Sequence, residues 1–474
     1  MYTWDPIATI AANVQSSTVT ARENVDTALS RIEELDERYR PMIAVSEKRA
    51  IERADHIDEQ IKGGEEVGPL AGVPFIAKDN ILVFGVETTA GSNILKGFDA
   101  PYQSSAIEKL EAAGAICVGK ANLDAFGHGS STENSDFHTS KNPHDDTKVP
   151  GGSSGGSAVV IGLGIVPFAL GTDTGGSIRL PASFCGIVGY KPTYGIVSRS
   201  GVIAMGSSTD VVGPLTRTAA DAAQIMDVMT GKDGLDSTMI DRQESYVLKN
   251  QDSYKGKKIG VIKEYFGQGI KDGVSNQISE SIDKLKALGA DIEEVSLPSL
   301  PLALAAYYVI VPAELSSNLS RHDGQRYGYS DLDAKNLSDS YTSSRSHGFG
   351  AEAKRRIMIG THVLSSGYYD AYYKKAQTVR TLIVNEFRKA FETYDFLVGP
   401  TAPNVAFDIG GVEDPMEMYL TDVMTVAANL AGIPAISVPS GSVDGLPVGL
   451  QIIADQKQDA ELLQFASSAE GVIL

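Results

Sequence analysis

Residues 150–195, PGGSSGGSAVVIGLGIVPFALGTDTGGSIRLPASFCGIVGYKPTYG, contain two serine-bearing glycine loops separated by an apolar run. The loops are residues 151–157 and residues 171–177. Glycine adopts positive φ at little cost and lets backbone N–H groups approach a ligand closely. Glycine and serine are concentrated between residues 151 and 213, so we expect the chemistry of the protein to lie there.

The second loop ends at Ser177, and the next residues, 178–180, are predicted to begin a helix. Free N–H groups and the helix dipole favour negative charge at that end of a helix. An oxyanion that forms beside Ser177 would therefore meet backbone donors. The sequence predicts an oxyanion hole formed by the amides of Thr174, Gly175, Gly176 and Ser177.

Other interpretations fit a glycine–serine loop. Such a loop alone is more often a turn than a catalytic element. The first loop lacks the Gly-Lys-Ser/Thr ending of a P-loop, which disfavours phosphate binding. Residues 151–155 match the G-x-S-x-G nucleophile elbow, but that fold needs a late histidine. The last of the seven histidines is His362, and none lies between His144 and His322.

A serine nucleophile needs a base, and Lys78 is the candidate. Ser–Lys arrangements are known alternatives to Ser–His. Lysine accepts a proton only when it is neutral, which requires burial and a lowered pKa. Lys78 ends the apolar run GVPFIAK, and lysine is rarely buried. Taken alone, Lys78 also agrees with a lysine at the end of a strand whose side chain extends to water, and that alternative stays open.

The wider pattern predicts an α/β fold, with a mixed, largely buried central β-sheet covered by helices on both faces. We expect one domain, residues 1–474, with N-terminal helices (1–65), a core (66–215) and a helical insertion over the site (301–390). Helices are predicted within 18–63, and helix–Gly–strand units at 107–120 and 283–297. Further strands are predicted at 72–80, 394–403, 433–441 and 447–454.

Composition restricts the classes of function. The chain has 60 acidic and 41 basic residues, a net charge of −19, which disfavours direct binding of a phosphate backbone. With two cysteines, Cys117 and Cys185, neither a disulfide framework nor a Cys-based zinc site is expected, and we predict no metal. The first residues lack a basic region followed by an apolar run, so we expect no signal peptide and a cytoplasmic protein.

Three motifs, GVPFIAKDN, PGGSSGGSAVV and GTDTGGSIRLPASFCGIVGYKPTYG, resemble the amidase signature family. The resemblance implies the amidase signature fold and a catalytic triad. Its lysine is the base, its first serine follows a cis peptide bond and relays the proton, and its second serine is the nucleophile. Carried over, these residues are Lys78, Ser153 and Ser177, and the serines are 24 positions apart, as the family pattern requires.

Within the family, four further stretches resemble the glutamine-hydrolysing A subunits of tRNA-dependent amidotransferases, namely 129–135, 307–319, 349–383 and 418–441. The resemblance implies a heterotrimer with a B and a C subunit, in which ammonia from glutamine passes to the B subunit. That subunit holds the misacylated tRNA and uses ATP and Mg. The resemblance implies Gln-tRNA(Gln) as the product, and it leaves open whether Asn-tRNA(Asn) is a second product. We expect no cofactor in this chain and no membrane partner.

The same resemblance implies the residues that bind glutamine. An arginine pairs with the α-carboxylate and an acid with the α-ammonium. The acid is Asp422, and the arginine is Arg355, with Arg356 as the alternative. Tyr308, Ser130 and Ser131 are expected to line the same pocket.

The chain departs from the family at several positions. Residues 124–128, Asp-Ala-Phe-Gly-His, stand where the family usually has Asp-Glu-Phe-Ala-Met, and we expect His128, close to the substrate loop, to change the polarity of the pocket slightly. Three rivals remain: a stand-alone amidase, a cysteine amidase that uses Cys185, and a non-enzymatic scaffold. An intact triad disfavours the scaffold, and the absence of a histidine near Cys185 disfavours the thiol.

Overall fold

The computed structural model describes residues 1–241, 245–246, 254–267 and 269–473. The described residues form one 11-stranded sheet surrounded by helices. The predicted mixed α/β architecture is confirmed. The strands are β1 (Met42–Val45), β2 (Pro74–Lys78), β3 (Ile116–Ala121), β4 (Phe168–Asp173), β5 (Val188–Lys191), β6 (Val211–Thr216), β7 (Lys258–Ile262), β8 (Asp291–Val295), β9 (Phe396–Pro400), β10 (Ala435–Val443) and β11 (Leu446–Ile453).

The strand order is β1-β3-β2-β4-β6-β5-β10-β11-β9-β7-β8. Strand β2 is parallel to both β3 and β4, and β7 is parallel to both β8 and β9. The remaining pairs are antiparallel. The sheet therefore has a parallel group on each side of an antiparallel centre.

Helices cover the sheet on both faces, as predicted. They are α1 (Ile7–Gln15), α2 (Ala21–Tyr39), α3 (Glu47–Lys62), α4 (Ser105–Ala112), α5 (Gly155–Gly162), α6 (Arg179–Cys185), α7 (Ala219–Met229), α8 (Asp272–Ala287), α9 (Ala303–Asn318), α10 (Leu337–Gly348), α11 (Ala351–Leu364), α12 (Lys375–Phe391), α13 (Pro415–Leu420), α14 (Val426–Ala431) and α15 (Asp459–Ile473). A π-helical segment, Tyr369–Lys374, precedes α12.

Strand β2 shows how both faces are buried. Successive side chains of a strand point to opposite faces, and Phe75 and Ala77 pack in one hydrophobic cluster while Ile76 packs in another. All five residues of the strand are buried, including Lys78 at its end. A continuous apolar strand of this kind is typical of a parallel strand inside a sheet. The lysine therefore enters the protein interior on the strand itself.

The N-terminal region contains more structure than the sequence pattern indicated. Helices α2 and α3 confirm the two predicted helices, and Thr20 begins α2 with a capping box to Glu23. Strand β1 lies between them, and helix α1 precedes them. Four residues of β1 give too short a pattern to detect, and the strand is stabilised by pairing with β3.

The region 301–390 consists mainly of α9, α10, α11 and α12. One segment, Leu300–Arg321, is long and apolar enough to cross a membrane by length and composition. Half of its most apolar window is buried in the fold, where residues such as Ile310 and Leu315 join a core cluster. The core helix of a globular protein can have the same length and composition.

Candidate active site

Lys78 lies at the carboxyl end of β2 and directs its amine into a closed polar cluster. Lys78 Nζ is 2.8 Å from Ser153 Oγ, 2.8 Å from Ser154 Oγ and 3.4 Å from the carbonyl oxygen of Thr172. Lys78, Ser153 and Ser154 have no exposed surface. The alternative of a lysine that reaches water is therefore wrong.

The surroundings of Lys78 favour its neutral form. Burial lowers its pKa from 10.5 to about 7, against the opposing effect of the carboxylates of Asp124, Asp173 and Asp210. A charged amine loses its hydration in such a site, and no carboxylate in the described residues forms an ion pair with it. At neutral pH a large fraction of Lys78 can accept a proton.

The first glycine loop holds Ser153 against this amine. The peptide bond between Gly152 and Ser153 is cis. A Cβ atom on Gly152 would lie 2.2 Å from Asp124 Oδ2 and 2.6 Å from the amide nitrogen of Ser131, so only glycine fits. Asp124 in turn accepts hydrogen bonds from the amides of Thr132 (2.9 Å) and Asn134. The loop is packed against a fixed carboxylate.

The second glycine loop lies beside the first. The amide of Ser154 donates a hydrogen bond to the carbonyl oxygen of Ser177 at 3.1 Å. Ser177 is 9% exposed, whereas Ser153 is fully enclosed. The serine that was predicted to be the nucleophile is thus the one that retains an opening to solvent. The structure brings Lys78, Ser153 and Ser177 together, and their catalytic roles stay predictions.

A buried ion pair supports the second loop. Arg179 donates through Nε and Nη2 to the two carboxylate oxygens of Asp173, each at 3.0 Å, and neither side chain is exposed. The guanidinium also contacts Asn429 and Gln451. Burial alone would raise the pKa of Asp173, but Arg179, with Lys191 and Asn429, brings it down to about 2. Asp173 is therefore a permanent negative charge beneath the loop.

Asp173 also changes the predicted oxyanion hole. Its carboxylate accepts the amide of Gly176 at 2.8 Å and the amide of Ile178 at 3.2 Å. The amide of Gly176 is therefore occupied by a structural hydrogen bond. Within the described residues, the amides of Thr174, Gly175 and Ser177 donate to no protein acceptor. These three remain the predicted oxyanion donors.

The predicted acid lies in a second polar cluster, contributed by α9 and the segment before α14. Asp422 is 9% exposed and accepts a hydrogen bond from the hydroxyl of Tyr308 at 3.0 Å. Burial raises the pKa of Asp422 to about 7, although Arg356, Tyr308 and Ser130 favour its ionised form. Asp422 can therefore change its charge near neutral pH.

The two candidate arginines have different surroundings. The side chain of Arg355 is 45% exposed and pairs with Glu352. The side chain of Arg356 is 3% exposed, and its Nε donates to Glu352 Oε1 at 2.8 Å. Its guanidinium lies 5.2 Å from the ring centroid of Tyr308 and 5.3 Å from that of Tyr419. The structure thus places Arg356, rather than Arg355, against Tyr308, the residue that donates a hydrogen bond to Asp422.

Arg356 has hydrogen-bond donors that no described residue uses. Among the described residues, its two terminal amino groups form no hydrogen bond, because the contact to Glu352 uses Nε. Burial lowers the pKa of Arg356, but Tyr308 and Glu352 raise it by more, so the charge is retained. A buried guanidinium with a free pair of amino groups suits bidentate recognition of a carboxylate.

A cavity of about 270 Å³ adjoins this cluster. Gly129, Ser131, Arg355, Arg356 and Tyr419 are among its lining residues. Ser131 is therefore placed at the cavity wall, while Ser130 is buried behind it next to Asp422. The volume suits a ligand of amino-acid size.

The sequence pattern did not indicate two polar residues of the site, Ser154 and Glu352. Ser154 shares the amine of Lys78 with Ser153 and donates to the carbonyl oxygen of Thr172 at 3.1 Å. Glu352 binds Arg356 and the hydroxyl of Tyr419. The adjacent serines of the first loop could have indicated Ser154, because both belong to one motif. Glu352 lies one helical turn before Arg356, which is a spacing common on solvent-exposed helices too.

The cysteine rival lacks a suitable environment. Cys185 is 1% exposed on α6, its Sγ contacts the carbonyl oxygen of Pro150 at 3.4 Å, and burial raises the pKa of its thiol. A reactive cysteine needs the opposite shift. In the described residues no group of three or more His, Cys, Asp or Glu could hold a metal ion.

Comparison with known proteins agrees with this geometry. The amidase family model matches residues 23–463. The A subunit of the glutamyl-tRNA(Gln) amidotransferase from Geobacillus kaustophilus is 51% identical over 454 residues, which cover 95% of this chain and 94% of that protein. The crystal structure of the corresponding protein from Thermotoga maritima has a TM-score of 0.81 and 41% identity, covering 94% of this chain and 91% of that one.

The fold is shared more widely than the sequence. A bacterial aryl acylamidase of the amidase signature family has a TM-score of 0.87 at 26% identity, covering 99% of this chain and 96% of that one. The match along residues 23–463 includes both glycine loops and the buried lysine. The chain belongs to the amidase signature family.

Proposed function

We propose that this chain hydrolyses glutamine as the A subunit of a tRNA-dependent amidotransferase that converts Glu-tRNA(Gln) to Gln-tRNA(Gln). The observation that carries the proposal is the 2.8 Å contact between the buried amine of Lys78 and Ser153 Oγ, next to the loop of Ser177. The similarity to amidotransferase A subunits over 95% of the chain supports the substrate class. Asp-tRNA(Asn) is proposed as a second acceptor.

The proposed chemistry is acyl transfer. Lys78 takes a proton from Ser153 as Ser153 takes the proton of Ser177, whose Oγ forms a bond to the side-chain carbonyl carbon of glutamine. The amides of Thr174, Gly175 and Ser177 stabilise the oxyanion. The carbon–nitrogen bond then breaks, and the relayed proton leaves with ammonia. Water attacks the acyl-enzyme, which releases glutamate and restores Ser177.

The second cluster is proposed to recognise the α-groups of glutamine. Arg356 binds the α-carboxylate through its free amino groups, and Asp422 binds the α-ammonium in its ionised form. This replaces Arg355, the arginine that we expected first. Tyr308, Ser130 and Ser131 complete the pocket, and the helical region 301–390 covers the site.

The partners of the chain follow from the same proposal. We infer a heterotrimer with a B and a C subunit, in the cytoplasm. The B subunit would hold the misacylated tRNA and the ATP and Mg that activate it. The net charge of −19 is consistent with tRNA binding by the partner.

The test is ammonia release from glutamine, measured for the isolated chain and for the complex obtained by co-purification with the B and C subunits. The isolated chain is expected to be slow. Its activity is expected to rise when the partners, ATP and Glu-tRNA(Gln) are added. Full activity in the isolated chain, independent of tRNA, would favour a stand-alone amidase instead.

A further inference from the structure

His128 is a buried histidine whose ring has no hydrogen-bond partner. It has no exposed surface, and within the described residues neither Nδ1 nor Nε2 forms a hydrogen bond. A buried polar atom without a partner is costly, and in native proteins it usually has an explanation such as a bound molecule or a functional role. The catalytic scheme above does not use His128.

The position of His128 connects the two halves of the site. On one side is Gly127, where a Cβ atom would lie 3.5 Å from Ser153 Oγ. On the other side are Gly129, at the cavity wall, and Ser130, next to Asp422. The backbone is fixed, because Asn134 Nδ2 donates to the carbonyl oxygen of His128 at 3.2 Å.

The ring of His128 is a neutral group near a cation. Burial, and then the charge of Arg356, lower its pKa well below the usual value, so the imidazole carries one N–H donor and one acceptor. Its ring centroid lies 6.0 Å from that of Phe126, which provides an apolar support without a polar contact. A donor close to Arg356 is suited to the same anionic group that Arg356 binds.

We propose that His128 is a substrate-positioning residue whose ring N–H donates a hydrogen bond to the α-carboxylate of glutamine, beside the guanidinium of Arg356. The inference rests on the proposed function and adds a residue to its pocket. Arg356 neutralises the carboxylate, and His128 fixes its orientation relative to Ser177. The α-ammonium stays with Asp422, so the two α-groups have separate ligands.

Three amide substrates distinguish a substrate-positioning role of His128 from a purely structural one. Glutamine has both α-groups, glutaramate keeps the carboxylate without the ammonium, and 4-aminobutanamide keeps the ammonium without the carboxylate. The variants are His128→Met, which removes both ring nitrogens, and His128→Gln, which keeps a donor. His322→Phe is the matched control, because His322 is also buried and also packs on Phe126, at 5.3 Å between ring centroids.

Kinetics are measured on the complex with the B and C subunits. His128→Met is expected to raise KM for glutamine and glutaramate by about 10- to 100-fold and to leave 4-aminobutanamide unchanged. His128→Gln is expected to raise KM for glutamine and glutaramate less than His128→Met does. His322→Phe is expected to leave KM for all three amides unchanged. Binding of glutamine to Ser177→Ala with and without His128→Met gives the same comparison without turnover.

An equal loss for all three amides, or no loss for glutamine, would overturn the role of His128 while leaving the proposed function intact. If His128→Met does not fold, His128→Ala takes its place in the comparison, and an equal rise of KM for all three amides in that variant would overturn the role too. A wild-type complex that neither binds nor hydrolyses glutamine would overturn the proposed function and this inference together.

Discussion

Lys78 Nζ lies 2.8 Å from Ser153 Oγ in a part of the protein from which solvent is excluded. The amine contacts hydroxyl and carbonyl oxygens rather than a carboxylate, so its neutral form is favoured. A proton that leaves Ser153 therefore has an acceptor at hydrogen-bond distance. The backbone contact between Ser154 and Ser177 brings the second serine to the same place.

Replacement of Lys78 by arginine is expected to abolish ammonia release. Arginine stays protonated at any accessible pH, so it cannot accept the proton of Ser153. The loss should be at least about 10²-fold in kcat, the usual contribution of a general base. Steady-state assay of the complex measures it, with circular dichroism to show that the variant is folded. An active Lys78→Arg variant would rule out the triad.

The pH dependence of kcat is expected to follow Lys78. Its pKa is lowered to about 7, so the fraction of neutral amine increases as the pH rises through 7. At saturating glutamine, kcat should rise along a single limb and level off above about pH 8. A kcat that falls between pH 6 and 8 would contradict a neutral lysine base.

Asp422 is expected to control affinity rather than chemistry. In Asp422→Asn the α-ammonium loses its charged partner, so KM for glutamine should rise by about 10- to 100-fold. KM for glutaramate, which has no ammonium, should change little. The comparison of the two substrates on one variant checks the assignment, and an unchanged KM for glutamine would remove Asp422 from the pocket.

Affinity should also depend on pH through the same carboxyl group. Burial raises the pKa of Asp422 to about 7, and only the ionised form attracts the ammonium. In Ser177→Ala, which prevents turnover, Kd for glutamine should therefore fall as the pH rises through 7. Calorimetry at pH 6 and pH 8 measures it. The double variant with Asp422→Asn should show no such dependence.

The buried pair Arg179–Asp173 is expected to support stability. Removal of Arg179 leaves the charge of Asp173 without its main partner inside the protein. Arg179→Met should lower the free energy of unfolding by about 3–5 kcal/mol. The exposed Arg355 is the control, and Arg355→Met should change it by less than about 0.5 kcal/mol. Urea denaturation of both variants gives the comparison, and equal midpoints would contradict the role of the pair.

Much of the fold could be predicted because its signals are local. The alternation of helices and apolar strands indicated the mixed sheet, and the run that ends in Lys78 is strand β2. Strand β1 was missed, since four residues show too short a period and pairing with β3 stabilises them. A strand that is stabilised mainly by pairing with a distant strand cannot be recognised from the hydrophobic pattern of four residues.

In the site, too, features with a local sequence signal could be predicted, whereas features that depend on tertiary contacts could not. The glycine loops and Lys78 could be found because a buried lysine and paired Gly-Ser motifs are unusual. The choice between Arg355 and Arg356 could not be made, because neighbours on a helix point in different directions and only packing against Tyr308 and Tyr419 separates them. The sequence also gave no sign of the hydrogen bond from the amide of Gly176 to Asp173, because that contact depends on how the loop turns.

The central claim is that Ser177 is the nucleophile of a glutaminase. It is tested most directly by incubating the complex with 6-diazo-5-oxonorleucine, an electrophilic glutamine analogue, and mapping the modified residue by peptide mass spectrometry. The account predicts a covalent adduct on Ser177, protection by glutamine, and no adduct in Ser177→Ala, while Cys185→Ala is labelled like the wild type. An adduct on Cys185, or labelling of Ser177→Ala at another residue with retained glutaminase activity, would contradict it.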